Sequence, residues 1–317
     1  MRILVTGVAG FIGSNTAETL LAAGHEVVGI DNFSSSTVLN VPAGIEFHEG
    51  RSGDAALISS LGSLDACIHF AAHIEAGESM HRPEAFFRNN VAETLQLLDV
   101  LIEMSVPKFV FSSTATVYGP EVTPPIGEDH PLGPTNPYGQ SKYMVEQALA
   151  WLASRERIRV ARLRYFNAAG GTTQHPELHV PETHLIPILL AAAAGDREGV
   201  ALYGTDYDTP DGTCIRDYVH VKDLADAHVL ALSALDHHRD LVVNLGTGTG
   251  YSNREMIAAV ERVTGVTLQV TLSDRRPGDL AVTVARNDKA REVLGWTPQR
   301  SGLDQLISDA WESYRRH

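Results

Sequence analysis

A strand-like run, Arg2-Ile3-Leu4-Val5-Thr6, leads directly into Gly7-Val8-Ala9-Gly10-Phe11-Ile12-Gly13 and then into a helix-like segment. Three glycines at this spacing between a strand and a helix leave few folds open. Gly7 permits a tight turn, Gly10 lets backbone approach a pyrophosphate, and Gly13 lets the helix pack closely on the strand. The first helical turn then presents unpaired N–H groups to an anion. Asp31 ends the next strand-like run, 18 residues after Gly13, where an acid takes the hydroxyls of an adenosine ribose. A carboxylate there repels a 2′-phosphate, and Asn32 and Phe33 follow with no arginine to welcome one. The pattern predicts NAD rather than NADP.

Short, nearly continuous apolar runs recur at Arg2–Thr6, Glu26–Ile30, Ile45–Glu49, Ala66–Ala71, Lys108–Ser112 and Arg157–Tyr165, as parallel strands covered on both faces require. Helical patterns lie between them, at Asn15–Ala23, Pro83–Met104 and Tyr138–Arg155. The alternation predicts an α/β fold: a Rossmann-like doubly wound parallel sheet with a smaller α/β substrate-binding C-terminal domain. The expected division is residues 1–167 and 168–317, with later segments free to return to the first unit. In the second half, Ser252 and Glu255 match a capping box opening a helix that runs to Thr264, with Gly265 behind it, and Leu303–Arg315 reads as a C-terminal helix. Tyr118–Pro137 carries six prolines and reads as an ordered loop bordering the site.

A net charge of −14 repels phosphate backbones and argues against nucleic acid as a partner. No run of about 18 apolar residues predicts a membrane span, and the N-terminus lacks a signal-peptide pattern. Two cysteines, Cys67 and Cys214, read as reduced thiols of a cytoplasmic protein. The 14 histidines show no metal-ligand spacing, so no metal is expected.

Tyr138 and Lys142 stand four residues apart, about one helical turn, and so share a face. A free phenol titrates near pH 10 and is a poor base at neutrality; a neighbouring ammonium and an oxidised pyridinium lower that value. The strand ending at Ser112 runs into Ser113-Thr114, and ligands of open α/β sheets sit beyond the carboxyl ends of strands. Thr114 can offer its hydroxyl to a substrate oxygen there. The reading is proton transfer by Tyr138 at a carbinol whose hydride passes to the nicotinamide, with Lys142 also on the nicotinamide ribose.

With these motifs the chain resembles the extended short-chain dehydrogenase/reductases, and within them the UDP-glucose 4-epimerases. The resemblance spans nearly the whole chain: TGVAGFIG at the start, HFAAHIEAGES at 69–79, NNV at 89–91, FSSTATVYG at 111–119, NPYGQSK at 136–142, RYFN at 164–167, ETHLIP at 182–187, the long segment 203–228, NLGTGTG at 244–250 and RRPGD at 275–279. It implies reversible inversion at C4 of a UDP-hexose (the galactose/glucose pair, and the N-acetylated pair as a hypothesis) through a 4-keto sugar, in a homodimer. It implies cofactor contacts from Gly7, Gly10, Phe11, Ile12, Gly13, Asp31, Asn32, Phe70, Ala71, Ala72, Asn90, Ser112, Tyr138, Lys142 and Tyr165. Substrate contacts follow from Thr114, Asn167, His184, Leu185, Tyr203, Arg216, Arg276 and Asp279. Arginine is the physical choice for a diphosphate.

Departures from the family pattern stand at Arg51-Ser52, where an Asp-Ile pair is usual and Asp54 is a candidate substitute, and at Ile74, where a lysine is common and Glu75 follows. Thr283 takes a position held by tyrosine in some members; the smaller side chain would leave room for an N-acetyl group. The competing readings are another nucleotide-sugar oxidoreductase, a 4,6-dehydratase or decarboxylase, and a non-catalytic NAD-binding regulator. A dehydratase needs an Asp-Glu pair after the strand-end threonine; Ala115-Thr116 stand there instead.

Overall fold

Seven parallel strands form one sheet. From one edge they run Glu46–Glu49, Glu26–Asp31, Arg2–Thr6, Ala66–His69, Lys108–Thr114, Arg159–Tyr165 and Asp240–Leu245. Counted along the chain, that order is 3-2-1-4-5-6-7. It reverses between Arg2–Thr6 and Ala66–His69, and a crevice opens outside the carboxyl ends at such a reversal. This computed structural model describes residues 1–276 and 278–317.

Alternation along the strands explains the layers. Ile3, Val5, Ile68, Val110 and Leu163 face one way and pack with Leu20, Leu224 and Leu232, from the helices Phe11–Ala22 and Val221–Ala234. Leu4, Val28, Cys67, Phe109 and Val160 face the other way, onto Leu97, Leu101, Val145 and Leu149 of Glu93–Glu103 and Pro137–Ser154. Each such buried leucine contributes about 1.5–3 kcal/mol relative to an exposed one. A separate core joins the helices Leu185–Ala194, Asn253–Thr264 and Leu303–Tyr314 through Leu189, Leu190, Met256, Val260, Leu306 and Ile307. Two- and three-stranded sheets sit beside it. The chain crosses the 167/168 division: Val221–Ala234 and Asp240–Leu245 return to the large sheet.

Several elements differ from the sequence reading. The first helix starts at Phe11 rather than Asn15, because Gly10 is its N-cap and Gly13 continues it. The strand at 66 stops at His69, and the next begins at Lys108 but extends to Thr114, which makes Thr114 its last residue. The segment 83–104 is not one helix: the π-helical stretch Phe87–Ala92 interrupts it. The seventh strand went unread. Ser252 and Glu255 form the expected capping box, and Gly265 closes that helix in the left-handed region.

The proline-rich loop is ordered from behind. Gly133 N donates to Val117 O at 3.0 Å, and Ile126 and Arg286 exchange backbone bonds with Val284 and Ile126 at 2.8 Å. No residue from 119 to 137 lines the cleft described below; the loop supports the entry to the Tyr138 helix rather than bordering the site. Among the described residues no helix is long and apolar enough to cross a membrane.

Candidate active site

One cleft of about 1800 Å³ runs along the carboxyl ends of the strands and into the smaller sheets. Its first wall is the glycine turn. Gly7 has φ +69°, and a Cβ there would lie 2.7 Å from Ala71 N. A Cβ on Gly13 would lie 2.1 Å from Gly7 O. Gly10 is different: its Cβ would meet only Gly7 O, at 3.3 Å. The protein therefore does not itself fill the space that Gly10 leaves, and Gly10 lines the cleft. As N-cap, Gly10 supplies no side-chain hydrogen bond to the first turn, so the N-terminal end of that helix meets the cleft uncapped. This donor set fits a dinucleotide pyrophosphate.

Asp31 fits the adenosine end. Its Oδ2 accepts from Ala9 N at 3.0 Å, and its Oδ1 accepts from Phe33 N at 2.8 Å and Ser36 Oγ at 2.9 Å. An ionised carboxylate has about four acceptor positions, so the less loaded Oδ2 remains open for a ribose hydroxyl. Asp54 is not the substitute contact suggested above. It caps the helix Ala55–Ser60, accepting from Leu57 N at 3.1 Å, while Ser52 takes the place on the cleft wall and Arg51 pairs with Glu93.

Thr114, Tyr138, Ser112 and Tyr165 line the middle of the cleft with Phe70, Ala71 and Ala72. Asn136 caps the Tyr138 helix by accepting from Gly139 N at 2.8 Å. Thr114 is buried and accepts from Thr116 N at 3.1 Å. Lys142 does not reach the wall. It is 1% exposed, and its Nζ donates to the Ser112 carbonyl at 2.8 Å and lies 4.9 Å from the Phe111 ring centre. Asn90, also read as a cofactor contact, is likewise behind the wall. Its Oδ1 accepts from His73 N at 2.8 Å, and its Nδ2 donates to His73 O at 2.9 Å and Ser141 Oγ at 3.0 Å.

The tyrosine's electrostatics reverse the sequence expectation. Burial pushes the Tyr138 phenol up to about 12; the Thr114 hydroxyl works the other way, and the charge of Glu75 adds to the rise. Burial also brings Lys142 down to about 7. The lysine does not hold the phenol ionised in the protein alone, since its own charge is disfavoured in the same dry layer and its Nζ is committed to Ser112. A positive group bound in the cleft would draw the phenol down.

The far end carries the charged residues. Arg216 donates to Leu280 O at 2.7 Å and lies 3.5 Å from Asp279 Oδ1. Its ion-pair partner is not Asp217, which is buried and accepts from Thr247, Gly248 and Ala285. The Arg276 guanidinium sits 4.0 Å from the Tyr203 ring centre. Asn167 Nδ2 donates to Asp217 O at 2.8 Å. Leu185 opens its helix with His184 as N-cap. Arg216, Asp279, Arg276, Tyr203, Asn167, His184 and Leu185 line the same cleft, as do Asn32, Phe11 and Ile12. Thr283 is not on the wall. It pairs with Arg216 in parallel strands, so the two side chains share a face.

Sequence reasoning missed Ser36, Ser52, Glu177, Leu178 and His179, all on the wall. For Glu177, Leu178 and His179 the signal was the unusual Pro and His content of 173–187. A sheet reversal with an uncapped helix N-terminus, a ribose-ready acid and a strand-end hydroxyl beside a half-buried tyrosine defines an NAD-dependent site of the extended short-chain dehydrogenase/reductase type.

The comparisons agree. A family model described as NAD dependent epimerase/dehydratase family matches residues 3–246. The UDP-glucose 4-epimerase of Lacticaseibacillus casei is 42% identical over 323 residues, covering 100% of this chain and 98% of its own. The crystal structure of the Brucella ovis UDP-glucose 4-epimerase in complex with NAD superposes with a TM-score of 0.95 at 43% identity, covering 98% of this chain and 97% of that one. The Bifidobacterium longum enzyme in complex with NAD+ and UDP gives 0.94 at 36%, covering 100% and 98%. The chain belongs to the NAD dependent epimerase/dehydratase family, with UDP-glucose 4-epimerases as its full-length relatives.

The two glycines separate folding from binding. Gly13→Ala drives a Cβ into Gly7 O and is expected to destabilise the fold. Gly10→Ala should change the cofactor-free stability by about 1 kcal/mol or less yet lose most bound NAD. Thermal melts and NAD content of the two purified variants check this; equal destabilisation, or full NAD in Gly10→Ala, contradicts it.

Proposed function

We propose that this protein interconverts UDP-galactose and UDP-glucose by epimerisation at C4, with NAD as its resident redox group. The observation that carries the reading is the convergence of the glycine turn, the Thr114–Tyr138 pair and the Arg216, Arg276 and Asp279 end on a single cleft. When bound, NAD supplies a reversible two-electron acceptor for the C4 carbon and a positive ring beside the phenol. Gly7, Gly10, Phe11, Ile12 and Gly13 hold its diphosphate, and Asp31 with Asn32 takes the adenosine ribose. Phe70, Ala71, Ala72, Ser112 and Tyr165 line the rest of its path. Lys142 stands behind Ser112, and Asn90 fixes the His73 loop.

On the substrate side, Arg216 and Arg276 bind the UDP diphosphate, with Asn167, His184, Leu185, Tyr203 and Asp279 completing the nucleotide grip. Tyr138 takes the proton of the sugar 4-hydroxyl, and Thr114 orients that oxygen. After the keto sugar has turned over, the same phenol gives that proton back to the sugar oxygen. Such a site needs a firm hold on the nucleotide and a loose one on the ring. The 4,6-dehydratase reading lacks an acid–base pair after Thr114, because Ala115 and Thr116 follow it.

We propose that the chain works as a homodimer. Leu95, Met144 and Trp151 are exposed on the helices Glu93–Glu103 and Pro137–Ser154, which pack on the same side of the sheet, and exposed apolar residues of this kind are what a second copy covers. Two buried free cysteines suit the reducing cytoplasm.

The purified protein should therefore convert UDP-galactose to UDP-glucose without added cofactor, and scatter light at about twice the 34.3 kDa chain mass. Tyr138→Phe should lower turnover by about 10²–10⁴-fold while retaining NAD. A 4-keto-6-deoxy product would support the dehydratase instead.

The N-acetylated pair is proposed as a second substrate class, because Thr283 shares a face with Arg216 and leaves the space a tyrosine would take. Thr283→Tyr should lower kcat/KM for UDP-N-acetylgalactosamine about tenfold or more relative to UDP-galactose, the scale of a steric exclusion. An unchanged ratio counts against it.

A further inference from the structure

Glu75 stands beside the departure at Ile74 and is not used in the mechanism above. It follows Ile74 on the cleft wall, in the loop after the strand Ala66–His69. That strand pairs with the one ending at Thr114. The loop is tied beside the tyrosine: Asn90 bridges His73 backbone and Ser141, three residues after Tyr138. The short helix Ala76–Ser79 packs against the Tyr138 helix. Glu75 is therefore fixed in the part of the cleft where Tyr138 and Thr114 meet a substrate.

Its carboxylate is clamped. His179 Nε2 donates to Oε1 at 2.7 Å, and Ile74 N donates to Oε2 at 3.1 Å. The two side chains are 14% and 9% exposed, so little water screens the pair. Burial works against the charge, but the bonds from His179 and the backbone outweigh it and hold Glu75 down at about 2; His179 is raised by the same contact. His184, Glu182 and Glu177, from the same segment as His179, also face the pair: the His179 and His184 rings lie 6.1 Å apart, and His184 is bonded to Glu182 at 2.8 Å. The wall beside the tyrosine thus carries a carboxylate held in place by His179, with spare acceptor capacity and no proton of its own to donate.

We propose that Glu75, clamped by His179, is a specificity-determining residue of the sugar subsite: it accepts hydrogen bonds from the hydroxyls of an uncharged hexose and rejects a hexuronate. The inference rests on the reading of the cleft as a UDP-sugar site. Inversion at C4 requires the sugar to present both faces, so its C3 and C6 edges both pass this wall. A hydroxyl donates to a carboxylate in a strong, charge-assisted bond. A sugar carboxylate meets a like charge with no proton to share, a repulsion that disfavours binding about tenfold or more at such separations.

The test compares kcat/KM for UDP-galactose and UDP-galacturonate in the NAD-loaded enzyme. Wild type should strongly prefer UDP-galactose. Glu75→Gln should shift the ratio toward UDP-galacturonate at least tenfold and raise the KM for UDP-galactose, while Glu75→Asp keeps the wild-type preference. Glu75→Ala, with NAD content as its folding check, should shift the ratio the same way as the amide. An unmoved ratio in both neutral variants, equal use of both sugars by wild type, or the same shift in Glu75→Asp overturns the inference while leaving epimerisation intact. Absence of UDP-galactose turnover in wild type overturns the underlying reading and the inference with it.

Discussion

Backbone contact at Gly7 sets the geometry on which the cleft depends. Its N–H donates to Ile30 O at 2.8 Å, joining the first and second strands, while its Cα lies against the Phe70–Ala71 backbone beyond the fourth. Gly13 then presses the helix onto Gly7 O. One turn without side chains thus draws the carboxyl ends of three strands to one line. Thr6 Oγ1 and Thr94 Oγ1 lock the same region through His69, at 2.7 and 2.8 Å, and burial keeps that ring neutral, down at about 3. A larger residue at 7 or 13 would move the strand ends apart, and the crevice would lose its anion-facing helix before any catalytic residue was touched.

The chemistry is poised rather than complete in the protein alone. Burial dominates at both members of the Tyr138–Lys142 pair: it raises the phenol to about 12 and lowers the ammonium to about 7, so it disfavours the charged form of each. Helical spacing brought them to one face, but a shared face does not decide which charge state wins; desolvation does. The base is therefore switched on by what enters the cleft. That arrangement suits NAD-dependent chemistry, because a positive ring in the cleft favours the phenolate.

Local features were legible in the sequence, and long-range ones were not. The strand Arg2–Thr6, the capping box at Ser252 and the Tyr138 helix depend on neighbours a few residues away, and each was readable from spacing and residue type. The outer strand Asp240–Leu245 was missed because its apolar residues gain meaning only from pairing with Arg159–Tyr165. The π-helical stretch at 87–92 was hidden inside a good amphipathic pattern; it places Asn90 under the His73 loop. Nearly all the residues read as binding ones line the cleft. Lys142 and Asn90 stand behind it, since they serve a carbonyl and a loop rather than an open surface. The Glu75–His179 pair joins residues 104 positions apart, and no local pattern announces it.

The central claim is that Tyr138 meets the ring alcohol of an anchored sugar beside the dinucleotide. A crystal structure with NAD and UDP-glucose tests it most directly. The account predicts the Tyr138 phenolic oxygen within about 2.6–3.2 Å of the sugar O4, with Thr114 on the same oxygen. A phenol turned out of the cleft, or a sugar seated away from Thr114 while its diphosphate lies on Arg216 and Arg276, would contradict it.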